Sequence, residues 1–170
     1  EYIEGEDLVT HAPRLALPVP RRVELFLAVL EAVEFAHRQG VVHRDLKPGN
    51  VFLVREASDV LPKVLDFGIA QLPPWPLDPE EDLDRVVGTP GYMAPEQVLG
   101  GTLVDPRADV WSLGVMLYEL VAGQSPFGGS HTQSRLLNLC FGTPTPLSDL
   151  IAGVSPMLVS ILAKCLQRRP

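Results

Sequence analysis

The chain has 170 residues, 46% of them hydrophobic and 21% charged, which is enough apolar material for a packed core and too much for a disordered or fibrous chain. Its 14 lysines and arginines against 21 acids give a formal net charge of −7, so the balance favours neither nucleic acid nor an anionic membrane as partner. Cys140 and Cys165 lack companions at metal-ligand spacing and read as buried thiols kept reduced, not as a disulfide framework or a zinc site.

Over residues 21–39 the apolar positions Val23, Phe26, Leu27, Leu30 and Val33 recur at steps of three and four, which predicts an amphipathic helix. Pro20 precedes it and Gly40 follows, where a left-handed residue closes the last turn. Val41–Val42, Val51–Val54 and Lys63–Leu65 are short apolar runs between polar or proline-containing loops and are expected as small strands. Residues 69–88 hold Pro73, Pro74, Pro76 and Pro79 with five acids, a composition that forms a long loop.

Helical patterning returns over 109–122, at about Gln133–Phe141 and over Pro156–Gln167. The most apolar stretch, Val110–Gly123, is interrupted by Ser112 and Glu119 and falls short of the about 20 residues that a bilayer span needs. The expected fold is α+β, mostly α, as one domain with a few short strands after its first long helix. Glu1 in place of a methionine, and Pro170 coming where helical patterning has only just ended, read as a piece of a longer polypeptide.

Chemistry concentrates in two places. His43, Arg44 and Asp45 lead into Leu46, Lys47, Pro48, Gly49 and Asn50, expected as a loop between two short strands. There an aspartate can accept a hydroxyl proton, a lysine two residues on can neutralise a phosphate, and an asparagine oxygen can hold magnesium. Asp66, at a strand end, adds a second carboxylate, and the pair of oxygen ligands Asn50 and Asp66 suits Mg2+ bound to nucleotide phosphates. Taken singly, Asp66 reads equally as a turn residue, Asp109 as a helix N-cap and His43 as a core histidine.

HRDLKPGN at 43–50, DFG at 66–68, GTPGYMAPE at 88–96 and DVWSLG at 109–114 together resemble the serine/threonine protein kinases of eukaryotic type, with a bacterial style. The resemblance covers essentially all 170 residues and implies a protein-kinase-like fold. The chain would be its large C-terminal helical lobe, with short strands carrying the catalytic and DFG loops and the N-terminal lobe absent. It implies a hinge at 1–8, a catalytic loop at 43–50, an activation segment at 66–96, the core helix at 109–122 and terminal helices over 131–170.

Carried over by position, Asp45 is the catalytic base, Lys47 contacts the γ-phosphate, and Asn50 and Asp66 hold Mg2+. Thr89 bridges Asp45 and Lys47, and that pairing of Lys47 with Thr89 argues for serine and threonine over tyrosine as acceptor. His43 stacks on Phe67, followed by Gly68, and Asp109 bonds the backbone of the catalytic loop. Glu1 and Ile3 would hydrogen-bond adenine through their backbone, Asp7 would lie near the ribose, and Phe52 would form the floor under the adenine ring.

The implied activity is transfer of the ATP γ-phosphoryl group to protein Ser/Thr hydroxyls in the cytoplasm, with ATP and Mg2+ as cofactors and no membrane segment in the chain; membrane tethering elsewhere stays open. The alternative is a pseudokinase, a nucleotide-binding or scaffolding module; a small-molecule kinase is disfavoured by Lys47 and the APE segment. The glycine-rich loop, strand lysine and helix glutamate of the family mechanism do not occur here, so the chain alone is expected to be inactive. Glu96 lacks the arginine with which the family pairs it. Residues 69–87 hold no Ser, Thr or Tyr, and one of Asp78, Glu80, Glu81, Asp82 and Asp84 is expected to pair with Arg44 in place of a phosphate. Gly49 stands where some members that act on basic substrates carry an acid, while Glu119 retains a second.

Overall fold

A computed structural model describes residues 6–9, 17–56, 59–67, 90–99 and 105–168. The expectations at Glu1, Ile3, Gly68, Thr89 and the acidic positions 78–84 lie outside the described residues. Helices α1 (Val19–Arg38), α2 (Pro95–Val98), α3 (Pro106–Ala122), α4 (Thr132–Phe141) and α5 (Pro156–Cys165) dominate. A small antiparallel sheet has the order β1 (Glu6–Asp7), β2 (Val51–Glu56), β3 (Asp59–Val64). Among the described residues, no helix is long and apolar enough to cross a membrane.

Helix α1 buries Leu25, Phe26, Val29, Val33 and Ala36; of the expected apolar positions, Val23 and Leu30 are half-buried and Leu27 is exposed, because the buried stripe is centred one residue away from it. It begins two residues earlier than its pattern, because Pro18 supplies an extended N-cap and Pro20 is tolerated in the first turn. At its other end the Gly40 amide donates to His37 O and the Val41 amide to Ala36 O, both at 2.9 Å, with Gly40 at φ 75°. This is a Schellman closure, and it corrects the expectation of a strand at Val41–Val42: the Val41 amide is spent on the helix end and no strand among the described residues pairs there. The loop at 43–50 therefore joins a helix to a strand rather than two strands.

In the sheet, Val51 faces Val64 and Leu53 faces Pro62, with β3 at the edge, where a proline without an amide hydrogen does least harm. Leu65 falls just outside β3, its amide donating to Asn50 O at 2.9 Å, which ties the start of the second motif to the end of the first.

Helix α3 is buried along nearly its whole length, so its apolar pattern shows no one-sided stripe. Asp105 caps it by accepting from the Arg107 amide at 2.7 Å, Pro106 takes the first position, and Gly123 at φ 73° ends it. The expected start at Asp109 is thus one turn late, and the N-cap is Asp105. Arg22 of α1 reaches across to the carbonyls of Leu120 (2.9 Å) and Val121 (3.4 Å), placing a cation at the negative end of α3.

Val29, Val33, Leu46, Val51, Met116 and Leu120 belong to the main core, between α1, the sheet and α3. A second cluster gathers Ala94, Ala108, Trp111, Val115, Phe127, Leu139, Cys140 and Leu166. In it Trp111 and Phe127 lie nearly parallel, ring centroids 5.5 Å apart. Cys140 is buried but Cys165 only half-buried, because Cys165 lies on the last turn of α5 where that helix meets Gly114; burial pushes both thiols up in pKa.

Candidate active site

The segment 43–50 runs over the amino-terminal end of α3, and its path is set by one carboxylate. Asp109, at 0% exposure, accepts from the His43 amide at 2.8 Å and from His37 Nε2 at 2.7 Å on Oδ2, and from the Arg44 amide at 2.8 Å on Oδ1. A buried carboxylate is tolerable only when its lone pairs are met in this way. Arg44 adopts φ 67°, a left-handed conformation that costs a non-glycine residue about 1–2 kcal/mol, and the charge-assisted bond to its amide offsets that cost.

His43 is fully buried and its ring has defined roles. Nε2 lies 2.8 Å from Leu65 O, which only accepts, and Nδ1 lies 3.3 Å from the Asp45 amide, which only donates. The ring proton therefore sits on Nε2. The same ring packs against Phe67 at a centroid distance of 4.8 Å, tilted by 53°. His43 thus links the two motif-bearing loops by a hydrogen bond and a ring contact.

After that anchor the functional side chains converge. Lys47 Nζ donates to Asp45 Oδ2 at 2.6 Å, both side chains partly open to solvent. The Asn50 amide nitrogen donates to Asp45 O at 2.8 Å and to Asp45 Oδ2 at 3.3 Å, which leaves Asn50 Oδ1 without a protein donor among the described residues. Asn50 follows from a 3-10 turn over Pro48–Asn50, closed by its amide on Lys47 O at 2.9 Å. Asp66 is exposed and, like Arg44, left-handed, at φ 60°. Asn50 and Asp66 each carry an oxygen of the hard kind that Mg2+ takes, and the bond from the Leu65 amide to Asn50 O ties the two loops together. Among the described residues no group of three or more His, Cys, Asp or Glu side chains could hold a metal by itself.

At the sheet, Asp7 and Phe52 are register partners of β1 and β2, so two positions expected to meet a nucleotide lie side by side. Glu96 is half-buried in the first turn of α2. The Tyr92 hydroxyl donates to Glu119, and burial raises the pKa of that carboxyl while the Tyr92 bond acts against the rise. Ser112 Oγ donates to Tyr92 O at 2.7 Å, pinning the same segment to α3.

Two residues of the site carry no local signal. His37 reads as one more position on a helix, and Gln97 as the residue after a motif, yet His37 bonds the carboxylate of Asp109 that holds the loop and Gln97 bonds the loop itself. Gln97, at 1% exposure, donates from Nε2 to Arg44 O and accepts on Oε1 from the Ala94 amide. Their partners lie 72 and 53 positions away.

The family of protein kinase domains matches the chain over residues 1–170. The chain belongs to the protein kinase family. Among its relatives, this kinase-family chain is 42% identical to the serine/threonine-protein kinase Pkn1 of Myxococcus xanthus, over 87% of the chain and 21% of the relative. It is 34% identical to pkn2 of the same organism, over 100% of the chain and 21% of the relative. PknB of Mycolicibacterium smegmatis is 34% identical over 100% of the chain and 27% of its own length. The chain therefore spans about a fifth to a quarter of the length of these curated relatives.

Proposed function

We propose that this chain is the large helical lobe of a serine/threonine protein kinase that transfers the γ-phosphoryl group of ATP to Ser or Thr hydroxyls of proteins. The observation that carries the reading is the convergence of Lys47 and Asn50 on Asp45, in a loop whose backbone is held by Asp109. The names of the relatives support serine and threonine as acceptors.

In this reading Asp45 orients the acceptor hydroxyl and takes its proton as the oxygen bonds to the γ-phosphorus and the bond to the ADP leaving oxygen breaks. Lys47, which here donates to Asp45, would neutralise the charge that develops on the phosphate. Asn50 and Asp66 would hold Mg2+, which supplies charge neutralisation to the nucleotide phosphates. Phe52 and Asp7 would line the adenine and ribose ends, with Glu1 and Ile3 as hinge and Thr89 between base and lysine. Glu96, Gly68 and Phe67 keep the roles their motifs imply, and the proposed segmentation is hinge 1–8, catalytic loop 43–50, activation segment 66–96 and helices beyond. The reaction belongs in the cytoplasm, where ATP is supplied and free thiols persist.

The test is transfer of labelled phosphate from ATP and Mg2+ to a generic basic protein by the full-length protein that carries this chain, beside its Asp45→Asn variant. Transfer should fall by about 100-fold or more in the variant. Absence of transfer from the parent would overturn the proposal. The 170-residue chain by itself should show none, because it supplies no glycine-rich loop, strand lysine or helix glutamate.

A further inference from the structure

Asp45 is bound to Arg44 through a peptide whose two faces are held by different parts of the molecule. Its amide hydrogen points to His43 Nδ1 at 3.3 Å, and its carbonyl, Arg44 O, accepts from Gln97 Nε2 at 2.8 Å. The preceding amide, Arg44 N, is held by Asp109 at 2.8 Å. Arg44 is therefore gripped on its amide by α3 and on its carbonyl by α2, and it is the residue forced to φ 67°.

The Gln97 side chain is oriented without ambiguity: its oxygen accepts from the Ala94 amide at 2.9 Å and its nitrogen donates to a carbonyl, so a flipped amide would lose both bonds. At 1% exposure no water replaces either partner cheaply. The segment it reads on the other side, Tyr92–Ala94, is itself pinned to α3 through Ser112 and linked to Glu119.

We infer that Gln97 is a positioning residue for phosphoryl transfer: it orients the peptide that carries Asp45, and it couples that peptide to the segment Tyr92–Ala94. This rests on the kinase reading above. It acts through Arg44 and touches neither nucleotide nor acceptor, so its loss should lower turnover while leaving nucleotide affinity in place. A side chain that only held the fold together would move the melting temperature alone.

The experiment is steady-state transfer by the full-length protein and its Gln97→Leu and Gln97→Glu variants, with melting temperatures measured alongside. Leucine removes both bonds at similar volume. Glutamate keeps an acceptor for the Ala94 amide and loses the donor to Arg44 O, so it carries the test if the leucine variant fails to fold. In a folded variant kcat should fall about 10–100-fold, as expected when a reacting group is misplaced by an ångström or less, while KM for ATP stays within about two-fold. An unchanged kcat in a folded variant, or a rise in KM alone, would overturn the role of Gln97 and leave the kinase reading standing. A parent that transfers nothing, equal to its Asp45→Asn control, would instead overturn both.

Discussion

At its first turns α3 presents Asp109 to the interior, and about two to three turns later Val115, Met116 and Leu120, all at the same near-zero exposure. The apolar side chains are held by many weak contacts, each replaceable by a neighbour of similar size. Asp109 is held by three directional bonds to His37, His43 and Arg44, and no other residue type of that shape brings the same charge. One end of the helix thus specifies a backbone path and the rest supplies bulk stability. The two should respond differently to substitution.

The largest effect is expected at the polar end. Asp109→Ala leaves the buried His43 amide and the partly buried Arg44 amide without their acceptor and should cost about 1–3 kcal/mol for each in urea unfolding. A loss under about 1 kcal/mol would erase the contrast. Next comes the apolar end, where a Cβ on Gly114 would lie 2.6 Å from Cys165 Cβ. Alanine is the better helix former, so a bare helix would gain, yet Gly114→Ala should lose about 1–3 kcal/mol through overpacking of α3 against α5. Cys165→Gly in the same chain should make the alanine less costly, a coupling that a double-mutant cycle reads directly.

A third substitution tests whether a polar contact at the apolar end behaves like Asp109. Arg22→Met keeps the stem and removes the bonds to the Leu120 and Val121 carbonyls, with an expected loss of about 1–2 kcal/mol in thermal unfolding. The smallest effect is a pH dependence at Glu119. Its folded pKa is raised above the ordinary 4.5, so its stabilising contribution is full below that value and is lost as pH climbs through the raised one. Glu119→Gln does not titrate, so its stability relative to the parent should increase from pH 4.5 towards neutrality, and a constant difference across that range would refute the shift.

Residues whose role is local were legible in the sequence. Gly40 ends a helix with positive φ, Pro20 sits in a first turn, and Phe26, Val29 and Val33 of the α1 pattern are buried, while Leu27 on its flank stays exposed. The loop residues Asp45, Lys47 and Asn50 were visible because they lie within five positions of one another. What the sequence hid is of two kinds, one local and one long-range. Val41–Val42 has the composition of a strand, and only the hydrogen bond from Val41 to Ala36 reveals that it terminates a helix. His37 and Gln97 look ordinary until the fold brings Asp109 and Arg44 to them. Cys165 could be judged buried by residue type, but its partial exposure depends on where α5 crosses α3.

The three donors that meet at Asp109 also set an order of events during synthesis. His43 and Arg44 leave the ribosome 66 and 65 positions ahead of the carboxylate that shapes them. At about 5–20 residues per second the nascent loop waits on the order of 3–13 s for its template. Through that interval the bond from the Asp45 amide to His43 is the loop's own support for the left-handed turn at Arg44, so the 43–50 loop takes its full form only once α3 has been made and has docked.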